Sequence, residues 1–201
     1  MRTRTLFPVL VTGLTTLALA ACGGGSTGGQ ATTAPASSSS TEPMLAPKVS
    51  QPLTNTARYE TDPCSAATTS EVEQLGGAVK GTDVYQALPG KTCQWNFSNG
   101  SGNVGGAFIT GNKRGLNSLY VEHQARRLTT FQPVPPVEGY PAVVYSQGDE
   151  APGTCSLAVG VRDELTYTAI AHLRDGNPSF ADPCKMVTQL SAMVINRLKA
   201  S

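Results

Sequence analysis

The chain has 201 residues, 39% hydrophobic and 6% aromatic, with a formal charge of +1. Taking the leader arginines Arg2 and Arg4 from 15 basic residues leaves 13 against 14 acidic ones. Neither sign dominates, so nucleic-acid or polyanion binding has no electrostatic support.

Arg2 and Arg4 form a positive leader, followed by an apolar run from Leu6 to Leu19. Thr12, Gly13, Thr15 and Thr16 interrupt this run, and Gly and Ser follow it in place of a basic stop-transfer cluster. It is too short for a comfortable transmembrane span and reads as an export signal over residues 1–21. The stretch Leu19-Ala20-Ala21-Cys22 narrows that reading to a lipobox. Cleavage before Cys22 leaves a thiol that can carry a palmitate-type diacylglyceryl lipid as a thioether. Two acyl chains anchor stably where one does not. The expected location is the extracytoplasmic face of the cell membrane, held by the lipid on Cys22.

Residues 22–57 are rich in Gly, Ser, Thr, Ala and Pro, with the homopolymer Ser37–Ser40. Such a composition buries too little apolar surface to offset its ordering entropy. It reads as an unstructured tether with a reach of roughly 30 Å. Residues 58–201, about 145 residues, suit one domain with one core.

Within that domain, Asp62-Pro63-Cys64 places an N-cap before a proline suited to a first helical turn. Ser70-Glu71-Val72-Glu73 has a capping-box spacing, and Gly76-Gly77 stops the helix. Ala67, Val72 and Leu75 form its expected buried stripe. Lys91–Phe97 alternates, with Cys93, Trp95 and Phe97 on one face, and Val104–Thr110 returns as a hairpin partner. Leu116, Leu119, Tyr120 and His123 predict an amphipathic helix over about 115–128. Pro133, Pro135 and Pro136 forbid its continuation. Tyr140–Ser146 reads as a strand and 147–153 as a polar loop. Cys155–Val161 and Leu165–Ala171 form the clearest hairpin. Asp182-Pro183-Cys184 then opens a helix whose apolar face is Val187, Leu190, Val194 and Leu198. The expected order is α-β-β-α-β-β-β-α, an α+β domain with an antiparallel sheet of about five strands and helices packed on it.

Besides Cys22 there are four cysteines, Cys64, Cys93, Cys155 and Cys184. Export predicts two disulfides among three possible connectivities. Cys64–Cys93 with Cys155–Cys184 is favoured, because each pair joins a helix start to a neighbouring strand. Each closes a loop worth roughly 3–4 kcal/mol. No C-x-x-C exists and both histidines lie apart from the cysteines, so no metal site and no cofactor are predicted. Gly100-x-Gly102-x-x-Gly105 matches a dinucleotide fingerprint as a string, but the sequence continues as strand where that fingerprint needs a helix. Asn96 and Asn99 head glycosylation sequons by pattern alone. His172 with Asp175 and some serine could be drawn as a triad, yet no Gly-x-Ser-x-Gly elbow marks the serine. The acidic pairs Glu71/Glu73 and Asp149/Glu150 read as capping and solvated loop.

The lipobox, the tether, Asp62-Pro63-Cys64, Cys93-Gln94-Trp95, Val137–Val143, Cys155 opening a strand and the final Cys184 helix together resemble the actinobacterial lipoproteins of the domain of unknown function 3558. The resemblance covers most of residues 58–201. It implies a lipid-anchored extracytoplasmic domain in a mycolate-type or related Gram-positive envelope, with no activity and no catalytic residues to carry over. Related secreted domains are α+β folds with two disulfides. The expected function is a binding module for a small ligand, a lipid or a protein partner of the envelope, and not an enzyme. A structural or assembly subunit is the alternative. A wall or lipid hydrolase would need His123 or His172 in a cleft beside Ser, Asp or Glu.

Overall fold

A computed structural model describes residues 43–87, 89–148 and 151–201. Among the described residues there are seven strands in one antiparallel sheet and four α-helices. The helices are α1 (Ala57–Thr61), α2 (Thr69–Gly76), α3 (Asn117–Gln124) and α4 (Pro183–Lys199). The strands are β1 (Val79–Ala87), β2 (Gly90–Phe97), β3 (Gly102–Ile109), β4 (Thr130–Val137), β5 (Tyr140–Ser146), β6 (Thr154–Arg162) and β7 (Leu165–Leu173). They lie in the order β1-β2-β3-β7-β6-β5-β4. The α+β class and the antiparallel sheet stand, but the sheet has seven strands where about five were expected.

The two additional strands, β1 and β4, are the edges of the sheet. The sequence signal for a strand is alternating burial, and an edge strand half outside the packed layer does not supply it. Residues 80–86 of β1 are all exposed. β4 carries Pro133, Pro135 and Pro136, which lack the N–H a central strand must donate but are tolerated at an edge. Those prolines also blunt edge-to-edge association at β4.

The pleat divides the sheet into two faces. On the inner face, Cys93 and Trp95 of β2 stand beside Gly106 and Val104 of β3, and these stand beside Ala169 and Ala171 of β7. Leu157 and Val159 of β6 continue the same face. Met186, Val187, Leu190, Val194, Ile195 and Leu198 of α4 are buried against it in one cluster. Each fully buried aliphatic side chain of this kind contributes about 1.5–3 kcal/mol. The four α4 residues expected from helical spacing are all in that cluster.

Both favoured disulfides are formed, Cys64–Cys93 with Cα atoms 5.0 Å apart and Cys155–Cys184 with 5.2 Å. The first ties a short 3-10 turn (Pro63–Ala66) to β2, and the second ties the first turn of α4 to the start of β6. Asp182 caps α4 by accepting from the Lys185 N–H, whereas Asp62 makes no such bond. The capping box lies two residues before the expected one. Thr68 Oγ1 accepts from the Glu71 N–H, and Glu71 Oε2 accepts from the Thr68 N–H at 2.7 Å. Glu73 instead accepts from the Val79 N–H at the start of β1. Arg197 of α4 donates to both Glu71 oxygens, at 2.7 and 2.8 Å, and so joins the start of α2 to the end of α4.

The expected tether boundary at residue 57 is corrected. Residues 43–56 form a strap packed on the domain. Asn117 Oδ1 accepts from the Leu45 and Ala46 N–H groups, and Asn117 Nδ2 donates to the Pro43 carbonyl. Asp163 accepts from the Val49 N–H, Tyr140 donates to the Gln51 carbonyl and the Leu53 N–H donates to Val161. Ala46 packs in a cluster with Leu116, Val143 and Ala158 on the outer face, while Val49 and Leu53 join the inner core. The strap therefore passes around the end of the β6–β7 hairpin. Its polar composition hides it, because its order comes from hydrogen bonds supplied by residues far along the chain. The signal at 1–21, the lipidation site Cys22 and the tether up to residue 42 lie outside the described residues.

Desolvation raises the Glu71 pKa, but hydrogen bonds from Thr68 and the Arg197 charge outweigh it and hold the carboxyl below its usual range. A depressed folded-state pKa stabilises above the unfolded value and is lost as pH falls through the folded one. Glu71→Gln should cost about 1 kcal/mol at neutral pH and flatten the acid limb of a stability-against-pH curve measured by denaturant titration.

Gly106 is fixed by space. A Cβ there would stand 2.1 Å from the Tyr167 hydroxyl oxygen, which is buried with no hydrogen-bond partner among the described residues. Gly106→Ala should destabilise by about 1–3 kcal/mol. Tyr167→Phe should be neutral or stabilising, because it removes an unsatisfied buried group. The double variant should recover part of the alanine cost in thermal unfolding.

Candidate functional site

The outer face of the sheet is only partly covered. Over β4–β6, α3 and the strap close it: Leu119, Tyr120, Phe131 and Tyr145 pack on the Ala46 cluster. Tyr120 meets Phe131 edge-on at 4.9 Å. Over β2, β3 and β7 no helix among the described residues lies on this face, and the outward row is small: Gly105 and Ala107 on β3, flanked by Thr92 and Thr168 across the ladders. The missing side-chain volume leaves a groove of about 180 Å³. Ile109 and Ile170 line it, with Tyr85 of β1 at one wall and Tyr145 of β5 at the other. Tyr85 is 46% exposed and Val84 beside it 52%.

A second hollow of about 220 Å³ lies against α3 and shares Pro89, Ile109, Tyr145 and Thr168 with the groove. Together the two reach the lower end of ligand-site volumes, about 300 Å³. Burial pushes the Tyr145 hydroxyl pKa up, a hydrogen bond with Thr168 pulls it down and the Glu122 charge raises it further. Tyr145 is thus a neutral phenol in the shared wall. Thr166, 3% exposed, lines the second hollow with a hydroxyl that has no partner among the described residues.

A third hollow, of about 510 Å³, opens at the other end of the face and shares Asn103 with the groove. It is polar, with Lys80, Asp83, Asn96 and Arg174 around it. Asp83 accepts from Asn96 at 2.8 Å.

Of the residues singled out in the sequence, the four paired cysteines serve the inner face. His123 is exposed on α3 and stacks on Phe131, with ring centroids 4.2 Å apart. His172 borders the groove, opposite Asn103 and Thr154 on the neighbouring strands. Asp175, its notional triad partner, accepts from the Gly176 N–H. Among the described residues no serine–histidine–carboxylate relay is assembled, and no three His, Cys, Asp or Glu side chains converge as metal ligands. Gly100 and Gly102 belong to the β2–β3 turn and Gly105 to β3, so the fingerprint string has no helix behind it. No described helix is long and apolar enough to cross a membrane.

The groove residues were not legible as a site. Gly105, Ala107 and Thr168 carry no chemistry in isolation. The usable signal was the run Val104-Gly-Gly-Ala107 inside a strand, since glycine in a strand interior marks a close approach or a site left open.

The end of the strap borders this face. Asn117→Ala should remove the three bonds to Pro43, Leu45 and Ala46. Hydrogen exchange should then speed at the Leu45 and Ala46 amides by at least about tenfold, with the α4 amides unchanged.

Residues 17–197 match the model of a family described as protein of unknown function, DUF3558. The matched range begins ahead of Cys22 and so includes Leu19–Cys22 as well as the folded domain. Searches of curated proteins and of solved structures return no match.

Proposed function

The chain belongs to the DUF3558 family, and on that footing we propose that it is a lipid-anchored envelope protein whose domain binds a small, mainly apolar ligand on the open face of its sheet. The observation that carries this reading is the groove over Gly105 and Ala107. An open apolar concavity with a few convergent polar groups is the default form of a ligand site. The inner face is filled by α4 and the α1–α2 segment, so the proposed ligand site is on the opposite side of the sheet. The anchor is the diacylglyceryl group on Cys22, on the extracytoplasmic side of an actinobacterial membrane. The lipobox stretch and the apolar leader support it. The reading is of a site that binds, because its lining is mainly apolar.

An assembly role is the second reading, and β1 favours it. This nine-residue edge strand exposes Val84 and Tyr85, a form that can accept an added strand from a partner.

Native mass spectrometry of the full chain, extracted from its own membrane, tests both parts. The expected spectrum carries a diacylglyceryl mass on Cys22 and a bound small molecule that disappears in Gln94→Trp, a variant that fills the groove from a half-exposed position. An unlipidated chain would overturn the anchor. A lipidated chain with no small molecule, or one whose ligand survives Gln94→Trp, would overturn the open-face site. Retention of a second polypeptide instead would move the assignment to assembly.

A further inference from the structure

The chemistry of the open face changes along its length, and that gradient narrows the ligand. The inference rests on the open-face reading above. In its middle the groove is lined by Gly105, Ala107, Ile109 and Ile170, and no Asp, Glu, Lys or Arg lines it. At one end the adjoining hollow holds Lys80 and Arg174. Neither cation has an ion-pair partner among the described residues, and against the single carboxylate beside them, Asp83, which accepts from Asn96 and keeps its charge, they leave this end with a net positive charge. At the opposite end the hollow against α3 holds Glu122, which accepts from Gln147. The face is therefore cationic at one end, apolar in the middle and anionic at the other.

We propose that the ligand is an anionic amphiphile with one apolar chain, lying along β3 with its head group at Lys80 and Arg174 and its chain over Gly105 and Ala107 toward α3. The charge asymmetry sets the direction, since Glu122 repels an anionic head from the far end. From Asn103 to Ile109 the outward residues of β3 span about 20 Å at the strand rise, the scale of an extended fatty acyl chain. The Thr166 hydroxyl near the far end, without a partner among the described residues, offers one polar contact that a hydroxylated chain would use.

The test uses the full chain in phosphatidylcholine nanodiscs with two photo-crosslinking probes, a diazirine fatty acid and its methyl ester. The chains are identical and only the charge differs. Cross-linked peptides are mapped by mass spectrometry. The carboxylate probe should label the β3 peptide about tenfold more than the ester, the scale of two solvent-exposed ion pairs. Lys80→Ser with Arg174→Ser should bring the carboxylate down to the ester level. Both are surface positions, and circular dichroism and melting should show the double variant folded. Gln94→Trp should abolish labelling by both probes. Equal labelling by the two probes, or a double variant that changes nothing, would overturn the head-group assignment while leaving a ligand on the open face. No labelling of β3, with a different small molecule still retained from the membrane, would overturn the amphiphile and spare the binding site. No labelling and no retained ligand would overturn both.

Discussion

Helices close one face of a seven-stranded sheet, α4 over β6 and β7 and the α1–α2 segment over β2 and β3, and the consequences of that asymmetry run through the whole domain. α4 lies over β6 and β7, its apolar stripe set against Leu157, Val159, Ala169 and Ala171. A sheet of this width needs cover on at least one face, because an antiparallel layer can tolerate water on one side only. Once α4 supplies that cover, the other face is free to carry something else. The small row Gly105, Ala107 and Thr168 leaves that face open over β3 and β7.

The remaining inner-face contacts hold α4 in place. The Cys155–Cys184 bond pins its first turn to β6, and Arg197 in its last turn reaches the Glu71 capping box. The Cys64–Cys93 bond draws the 3-10 turn before α2 onto β2. The start of α4 is thus tied to the sheet and its end to α2. Gly106 has a related role within the layer. It leaves room for the Tyr167 ring to lie under β3, where the ring also meets Phe108 at 5.1 Å. The adjacent glycines of β3 accordingly serve opposite faces: Gly106 admits a core side chain, and Gly105 leaves the groove unfilled.

The strap links this architecture to the expected anchor. It crosses from the outer face to the inner core around one end of the β6–β7 hairpin, held by Asn117, Asp163, Tyr140 and Arg162. The strap thus meets the domain on the outer face at Ala46 before it enters the inner core at Val49 and Leu53.

Strong local patterns were legible without a structure. The alternation in Cys93–Phe97 and Cys155–Val161, the helical stripe of α4 and the stop at Gly76-Gly77 all correspond to observed elements, as does the pairing of the four cysteines. The edge strands β1 and β4 were not legible, because strand signals come from burial and an edge has little. The strap was read as tether, because its order is supplied by Asn117 and Asp163 some seventy to more than one hundred residues away. The capping box was placed two residues late, because Ser70 and Glu73 have the right spacing while Thr68 and Glu71 have the geometry. The amino-acid sequence by itself determined which segments alternate, where helices start and stop, and that Cys22 stands apart from an even set of cysteines. Only the tertiary structure decided which face of each strand α4 covers and where small residues on neighbouring strands line up into a groove. Those are properties of register between distant segments, and no local pattern encodes register.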